Sequence, residues 1–343
     1  MELKWTTYRL QCTHPFGISR STHTYYDVIY IYLIDGDVIG RGEAAPSLRY
    51  QENPDLILRH LQEQDFGDLS ANDHDELWNY LRRRSGRLRS LGAAFSMACL
   101  DWWTQKQEIP LYNYFGVRNP ESLLTSFTIA IGDLDGLEEK IEEATPYPLL
   151  KVKLGTRQDK DIVKIIRRYT DKVIRVDANE GWDLDRALNM CHWLAQQNVE
   201  FVEQPLPAGD LRNTAELKKK SPLPIFADEN SLTADDIPNI AHAFHGINIK
   251  LMKCGSLQEG KRMIDLARKN ELQIMLGCMV ESSVGITAAS HLSPLVDFAD
   301  LDGHILIDND PYHGTEVREG RLHLPTGIGL GLTKRTHSPR ELL

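Results

Sequence analysis

Three short apolar runs decide the fold of this chain, and each of them ends on an acidic residue. The runs are VIRVD (173–177), VEFVE (199–203) and PIFAD (224–228), so Asp177, Glu203 and Asp228 follow one another at intervals of 26 and 25 residues. An interval of about 25 residues accommodates one strand, one helix and two short loops. Because the carboxyl ends of parallel strands face the same way, we expect the three carboxylates to converge on one spot.

The three acidic side chains predict a metal site. Converging carboxylates repel one another unless a cation lies between them, and an all-oxygen ligand set suits a hard ion such as Mg²⁺. The alternative is that each acid caps the helix that follows its strand. Capping accounts well for one Asp, but less well for three acids at nearly equal spacing, one of which is Glu203.

The second half of the chain alternates short apolar runs with charged, amphipathic segments. The eight strand candidates are FTIAI (127–131), LLKVKL (149–154), VIRVD, EFVE (200–203), PIFAD, GINIKL (246–251), LQIMLG (272–277) and VDFADLD (296–302). This pattern predicts an α/β fold, a (β/α)8-type barrel whose last helix is lost or shortened. The alternative is an open, doubly wound sheet, but no GxGxxG follows the first strand.

The first part of the chain has a different texture. The run DVIYIYLI (27–34) before Asp35-Gly36 predicts a hairpin, and residues 53–107 have a helical pattern. We therefore expect an α+β capping domain over residues 1–115 and a barrel domain over 116–318. Residues 319–343 are expected to return to the capping domain.

Composition excludes several classes of protein. A net charge of −10 and a sequence pI near 5.7 argue against nonspecific nucleic-acid binding. The five cysteines are scattered and form no CxxC pair, which fits a reducing cytosol better than a disulfide framework or a zinc site. The sequence has no signal-peptide pattern and no apolar run long enough for a membrane helix. We therefore expect a cytoplasmic protein with no membrane contact.

Lysines on two strand candidates suggest acid–base chemistry. Lys151 and Lys153 lie two residues apart, on one side of the second barrel strand, and their mutual repulsion is expected to lower the pKa of at least one of them. Lys250 belongs to the sixth strand, which is opposite the second in an eight-stranded barrel. Two bases on opposite faces of one carbon are what a racemase or epimerase needs. Lys253 is an alternative to Lys250, but its odd offset points it toward the helix layer.

Further carboxylates follow the last two strands. Asp300 and Asp302 lie on one side of an extended segment and form a pocket for a cationic group, or else serve as a cap and a turn residue. Glu281 follows the seventh strand and is a candidate for substrate contact.

An ordered set of motifs resembles the enolase superfamily. Within it the chain resembles the muconate-lactonizing subgroup and, in that subgroup, the dipeptide epimerases typified by L-Ala-D/L-Glu epimerase. The motifs are KVK (151–153), DANEGW (177–182), VEQP (202–205), ADEN (227–230), NIKLMK (248–253) and GCMVE (277–281). The set is specific although no single motif is. Glu180 and Asn230 depart from the family pattern, where Gln and Ser are more usual.

The resemblance implies a role for each matching residue. It implies Asp177, Glu203 and Asp228 as Mg²⁺ ligands, Lys153 and Lys250 as the acid/base pair, and Lys151 as an auxiliary lysine. It also implies that Asp300 and Asp302 hold the α-ammonium group of a dipeptide. FGISR (16–20) resembles the capping loop whose Arg20 meets the side chain of a C-terminal Glu, and Thr128 contributes to the pocket. The implied protein is an isomerase of peptidoglycan peptide metabolism, and members of this group often form homo-oligomers.

Three rival functions share parts of this pattern. A muconate cycloisomerase or an o-succinylbenzoate synthase would have the same ligands and lysines, but its substrate lacks the ammonium group that Asp300 and Asp302 would hold. An epimerase of a dipeptide other than Ala-Glu would differ only in its loops. A metal-dependent ligand-binding protein would share the site without turnover.

Overall fold

A computed structural model describes residues 1–19, 21–67, 69, 73–132 and 136–343 of the chain. Within them, an antiparallel sheet with helices precedes an eight-stranded parallel sheet that is nearly closed as a barrel. This confirms the predicted fold class. No helix in the described ranges has the length and apolar character that crossing a membrane requires.

The amino-terminal sheet has three antiparallel strands in the order β1–β2–β3. They are β1 (Glu2–Ile18), β2 (Ser21–Asp35) and β3 (Val38–Ala44). The predicted hairpin is β2–β3, in which Gly36 takes the positive φ of 63° that the tight turn requires. Sequence reasoning missed β1, because only three of its 17 residues are buried and Pro15 interrupts its pattern.

Four helices follow this sheet. They are α1 (Pro54–Glu63), α2 (His74–Arg84), α3 (Arg89–Lys106) and α4 (Leu111–Tyr114). Helix α3 is buried along most of its length and packs directly on β3. A Cβ atom at Gly42 would lie 1.9 Å from the carbonyl oxygen of Ala94, so only glycine permits this close approach.

Eight parallel strands form the barrel in simple sequence order. They are β4 (Phe127–Ile129), β5 (Leu149–Lys153), β6 (Val173–Asp177), β7 (Val199–Glu203), β8 (Ile225–Ala227), β9 (Gly246–Ile249), β10 (Gln273–Gly277) and β11 (Phe298–Asp300). A parallel bridge between Thr125 and Ala299 joins the two ends of the sheet. This arrangement excludes the open, doubly wound alternative. The barrel interior is filled by Phe201, Phe226, Met275 and Phe298.

Helices alternate with the barrel strands until the last strand. They are α5 (Leu137–Glu143), α6 (Asp159–Tyr169), α7 (Leu184–Leu194), α8 (Leu211–Lys220), α9 (Ile237–Ile240), α10 (Leu251–Cys254), α11 (Leu257–Lys269) and α12 (Ser283–Ser290). After β11 the chain makes only a 3₁₀ turn, Gly303–Ile305. The eighth helix is therefore replaced, as the sequence predicted.

The carboxyl-terminal segment lies against the amino-terminal part of the chain. It contains β12 (Tyr312–His313), β13 (Glu316–Arg318), β14 (Arg321–His323) and β15 (Thr333–Lys334). The backbone N–H of Leu330 donates to Asp101 of α3, and the side chain of Arg41 donates to the carbonyl oxygen of Leu343. These contacts tie the tail to β3 and α3.

Glu43 joins the amino-terminal sheet to the barrel. Its fully buried carboxylate, at the end of β3, accepts from the backbone N–H and the hydroxyl of Ser282, at 2.9 and 2.6 Å, and from the N–H of Gly285 at 3.0 Å. These donors lie at the start of α12, where the helix dipole favours a negative charge. Burial nevertheless dominates and raises the pKa of Glu43 to about 7.

The Glu43 junction can be tested by truncation. Replacing Glu43 with Ala leaves three buried donors without an acceptor, so we expect the free energy of unfolding to fall by about 2–4 kcal/mol. Urea denaturation measures this loss. E43Q, which keeps one acceptor oxygen, should lose less, and the exposed E316A should be near neutral. A loss in E43A no larger than in E316A would contradict the assigned junction.

Candidate active site at the mouth of the barrel

A cavity of about 620 Å³ lies between the amino-terminal sheet and the carboxyl ends of the barrel strands. Its barrel wall carries the residues on which the sequence analysis concentrated: Thr128, Lys151, Lys153, Asp228, Lys250, Asp300 and Asp302. Its other wall comes from β1, β2 and the segment 45–50. The structure therefore brings groups from both parts of the chain into one site.

Asp177, Glu203 and Asp228 converge as the spacing predicted. One oxygen from each lies within 4.8 Å of one from each of the others, and all three side chains are buried. The strand register explains the convergence, because Asp177 pairs with Lys153 on β5 and with Glu203 on β7. None of the three is a helix cap, since Asp183 caps α7 and Asp210 caps α8. The capping alternative is therefore wrong.

Each carboxylate of this acidic triad has one oxygen held by a fixed donor. Asp177 Oδ1 accepts from the N–H of Asn179 at 2.9 Å, and Glu203 Oε1 accepts from the amide of Asn248 at 2.6 Å. Asp228 Oδ1 accepts from the Lys253 ammonium at 2.5 Å. The second oxygen of each faces a lysine that lines the cavity. The fixed donors therefore select which oxygen each carboxylate presents.

Lysines neutralise the second oxygens. Lys153 Nζ lies 2.7 Å from Asp177 Oδ2, and Lys250 Nζ lies 2.8 Å from Asp228 Oδ2. Lys151 Nζ lies 2.8 Å from Glu203 Oε2 and 2.5 Å from Asp300 Oδ2. Buried carboxylates and ammonium groups therefore alternate across the barrel mouth, so each charge has an opposite neighbour.

The charges around the lysines set their protonation. Burial would lower the pKa of Lys151, but the carboxylates of Asp300, Glu203 and Asp177 outweigh it and hold that pKa well above its usual value. At Lys250, burial likewise lowers the pKa and the charge of Asp228 raises it. The charges prevail, so the pKa of Lys250 also lies well above its usual value. The mutual repulsion that we expected to lower the pKa of at least one lysine therefore does not do so at Lys151, where three carboxylates raise the pKa.

Lys253 does not point into the helix layer. The prediction from its odd offset was wrong, because the strand ends at Ile249 and the chain turns into the short helix α10, which redirects the side chain. Its ammonium is fully buried and donates to Asp228 Oδ1, to the carbonyl oxygen of Asp228 at 2.6 Å and to that of Asn248 at 3.0 Å. Burial lowers the pKa of Lys253. Since it does not line the cavity, its place is that of a support for Asp228.

Asp300 ends β11 and Asp302 follows it, and Lys151 links Asp300 to Glu203 of the acidic triad. Asp300 accepts from Ser126 at 2.6 Å as well as from Lys151, and Asp302 Oδ2 accepts from the backbone N–H of Thr128 at 2.6 Å. Burial, together with the charge of Asp300, raises the pKa of Asp302 to about 7. Among the residues that the structure describes, no cationic side chain lies as close to Asp302 as Lys151 lies to Asp300.

Glu281, one of the predicted substrate contacts, lies behind the wall of the cavity. Glu281 is buried and accepts from the N–H of Met279, and its neighbours Met279 and Val280 line the cavity while Glu281 itself does not. Burial and the charge of Glu43 raise the pKa of Glu281 to about 8. Arg20 falls outside the described residues.

The site also contains residues that sequence reasoning missed. Asn248 lies two residues before Lys250, and the period of a strand places both on one side, so this signal was available. Arg49 and Tyr50 lie on the opposite wall of the cavity. Arg49 forms a two-point ion pair with Glu180, at 3.0 and 3.1 Å, which holds the segment 45–50 on the barrel. Glu180, where the family pattern usually has Gln, therefore has a cationic partner in Arg49.

The residues present fit a divalent metal ion. The donors are three buried carboxylates, which is the hard, all-oxygen set that Mg²⁺ prefers. Glu203 Oε2 accepts no hydrogen bond among the described groups, although the ammonium of Lys151 is near it. Three buried carboxylates with one oxygen each within 4.8 Å of the others form the environment that a cation would complete.

Comparison with known proteins agrees with this geometry. The enolase C-terminal domain-like family matches residues 136–337. An L-Ala-D/L-amino acid epimerase of Pedosphaera parvula is 36% identical, over 96% of this chain and 99% of the relative. An L-Ala-D/L-Glu epimerase of Bacteroides thetaiotaomicron is also 36% identical, over 97% of this chain and 88% of the relative.

A solved structure is similar over nearly the full length. The dipeptide epimerase of Methylococcus capsulatus, complexed with Mg and the dipeptide L-Arg-D-Lys, superposes with a TM-score of 0.89 at 28% identity. The match covers 97% of this chain and 99% of that one. The order of strands, the acidic triad and these relatives lead to one conclusion: the chain belongs to the enolase superfamily, and the relatives named above are epimerases.

Proposed function

We propose that this protein is a Mg²⁺-dependent dipeptide epimerase that inverts the α-carbon of the C-terminal residue, with L-Ala-D/L-Glu as substrate. The observation that carries the proposal is the placing of two lysines. Lys153 on the second barrel strand and Lys250 after the sixth line one cavity, and the acidic triad lies between those strands. Two amines approaching one carbon from opposite strands can remove a proton on one face and return it on the other.

The two carboxylates at the end of β11, Asp300 and Asp302, would hold the substrate's ammonium group. Asp300 and Asp302 are buried, line the cavity and together carry more negative charge than Lys151 offsets. A charge-assisted contact to both would fix the amino terminus. The dipeptide's carboxylate would then extend toward Asp177, Glu203 and Asp228, with its α-carbon between Lys153 and Lys250.

Proton transfer is the work of the lysines. The α-proton of a carboxylate is weakly acidic, because its removal gives an enediolate with a second negative charge. When bound, Mg²⁺ would supply positive charge that stabilises the enediolate. Lys151, held in place by Asp300 and Glu203, adds a fixed ammonium beside it. One of Lys153 and Lys250 would remove the proton as a neutral amine, and the other would deliver a proton to the opposite face. Mg²⁺ held by Asp228 would offset the negative charge that raises the pKa of Lys250.

The choice of substrate has its own support. Both 36% identical relatives are named for an L-Ala dipeptide. Arg20, as the resemblance implies, would meet the side chain of a C-terminal Glu. The substrate would come from peptidoglycan peptides in the cytoplasm, where the five unpaired cysteines would stay reduced.

Deuterium exchange separates the proposed function from its rivals. Incubation with L-Ala-L-Glu and Mg²⁺ in D₂O should add one mass unit to the dipeptide and produce the L-Ala-D-Glu diastereomer. A chelator should abolish both, and Mg²⁺ should restore them. A cycloisomerase would process muconate or a related acid instead, and a binding protein would give no exchange with any pooled dipeptide.

Single lysine variants test the two-base scheme. We expect K250A and K153A each to reduce epimerisation by about 10²–10⁴-fold, since each lacks one proton carrier. Each should still exchange the α-proton of one diastereomer, and the two variants should act on opposite ones. Mass spectrometry and chiral chromatography give the two readouts. The exposed K261A is the matched control and should behave as wild type. Near-wild-type epimerisation by K250A, or the same exchange pattern in both variants, would rule out two bases.

The pH dependence tests the role of Asp302. Its pKa of about 7 is raised above that of an ordinary Asp, so the carboxyl is neutral below pH 7 and charged above it. If Asp302 binds the ammonium group, kcat/KM should fall about tenfold per pH unit below 7, mainly through KM. D302N should bind the dipeptide weakly at every pH and lose this acid limb. An unchanged acid limb in D302N would assign the titration to another group.

A further inference from the structure

A second, smaller cavity adjoins the main one. It has a volume of about 220 Å³ and shares Phe16, Thr128 and Leu306 with the larger cavity, so the two meet beside Thr128. The backbone N–H of Thr128 donates to Asp302, which places the junction next to the carboxylate pair. We call the smaller space the side cavity.

The side cavity has an apolar wall and a neutralised rim. Phe127 and Tyr147 form part of its wall and stack with their ring centroids 4.7 Å apart, and Ala130 and Ile305 complete its apolar surface. At the rim, His14 lies 2.7 Å from a carboxylate oxygen of Glu143, so these polar groups satisfy each other. Lys140 also lines the side cavity. The apolar part of the wall favours an apolar group, because a charge placed against it would lose water without gaining a partner there.

We propose that the side cavity binds the side chain of the N-terminal residue of the dipeptide and accepts apolar side chains as large as that of leucine. This inference rests on the proposed function, which places the ammonium group at Asp300 and Asp302. The N-terminal α-carbon is one bond from that ammonium, so its side chain begins beside Asp302 and Thr128. The side cavity opens at that place, and the methyl group of alanine would leave most of it empty.

The energetic consequence follows from the size of the empty space. One methylene group too many for a hydrophobic pocket typically costs about 10–200-fold in kcat/KM, and the empty space should spare the larger side chain of leucine this cost. The enzyme should therefore use L-Leu-L-Glu with kcat/KM no lower than one tenth of the value for L-Ala-L-Glu. The C-terminal residue, and with it the chemistry, is the same in both dipeptides.

Filling the side cavity tests the assignment. A130F places a ring in the space, and we expect the ratio of kcat/KM for L-Leu-L-Glu to that for L-Ala-L-Glu to fall at least tenfold. I305F fills the same space from the 3₁₀ turn after β11 and should lower the ratio in the same way, which guards against misfolding of one variant. A130S, which leaves the space open, is the matched control and should keep the wild-type ratio.

The outcomes distinguish this inference from the proposed function. The side cavity does not bind the N-terminal side chain if wild type epimerises L-Ala-L-Glu but not L-Leu-L-Glu. The same conclusion follows if A130F and I305F lower kcat/KM equally for both dipeptides. If the variants instead change the preference between L-Ala-L-Glu and L-Ala-L-Leu, the cavity serves the C-terminal residue and the assignment is wrong. If wild type exchanges the α-proton of no dipeptide, the proposed function itself fails.

Discussion

The structure depends on balancing charge inside the mouth of the barrel. Asp177, Glu203 and Asp228 are all buried, and buried carboxylates are costly unless they are paired. The balance is supplied by ammonium groups from β5 and from the segment after β9, each within hydrogen-bonding distance of a carboxylate. This requirement links four neighbouring barrel strands and explains why the register of β5, β6 and β7 aligns charged residues in one row. The same groups, prevented from relaxing into water, form a preorganised site for the proposed reaction, which would create negative charge.

The barrel and the amino-terminal sheet divide the work between them. The groups proposed to do chemistry stand at the ends of barrel strands, where the hydrogen-bonded sheet fixes their positions. The residues that would contact the variable parts of a dipeptide come largely from β1, the segment 45–50 and the turn after β11. Loops and edges tolerate substitution better than barrel strands do. Substrate preference can therefore change without disturbing Lys153 or Lys250, provided that Glu43 and Arg49 keep the two parts together.

Lys253 and Asn248 show how much of a site lies outside its cavity. Neither needs to touch a substrate, yet each holds one oxygen of a triad carboxylate and so determines the direction in which the other oxygen faces. Residues that orient metal ligands in this way commonly affect metal affinity and activity almost as much as the ligands themselves. Glycine at position 277 leaves room for Asn248, because a Cβ atom there would lie 2.5 Å from its side-chain oxygen.

The sequence by itself determined the barrel and the convergence of the acidic triad, because both follow from local periodicity. A strand–helix repeat of about 25 residues sets the order of strands, and a carboxylate that ends each strand must meet its neighbours at the same edge. Only the tertiary structure decided the rest. The direction of Lys253 depends on where β9 ends and α10 begins, and the pKa of Lys151 depends on carboxylates from three other strands. The side cavity is formed by residues from Thr13 to Leu306, and contacts between residues so distant in sequence leave no periodic signal to read.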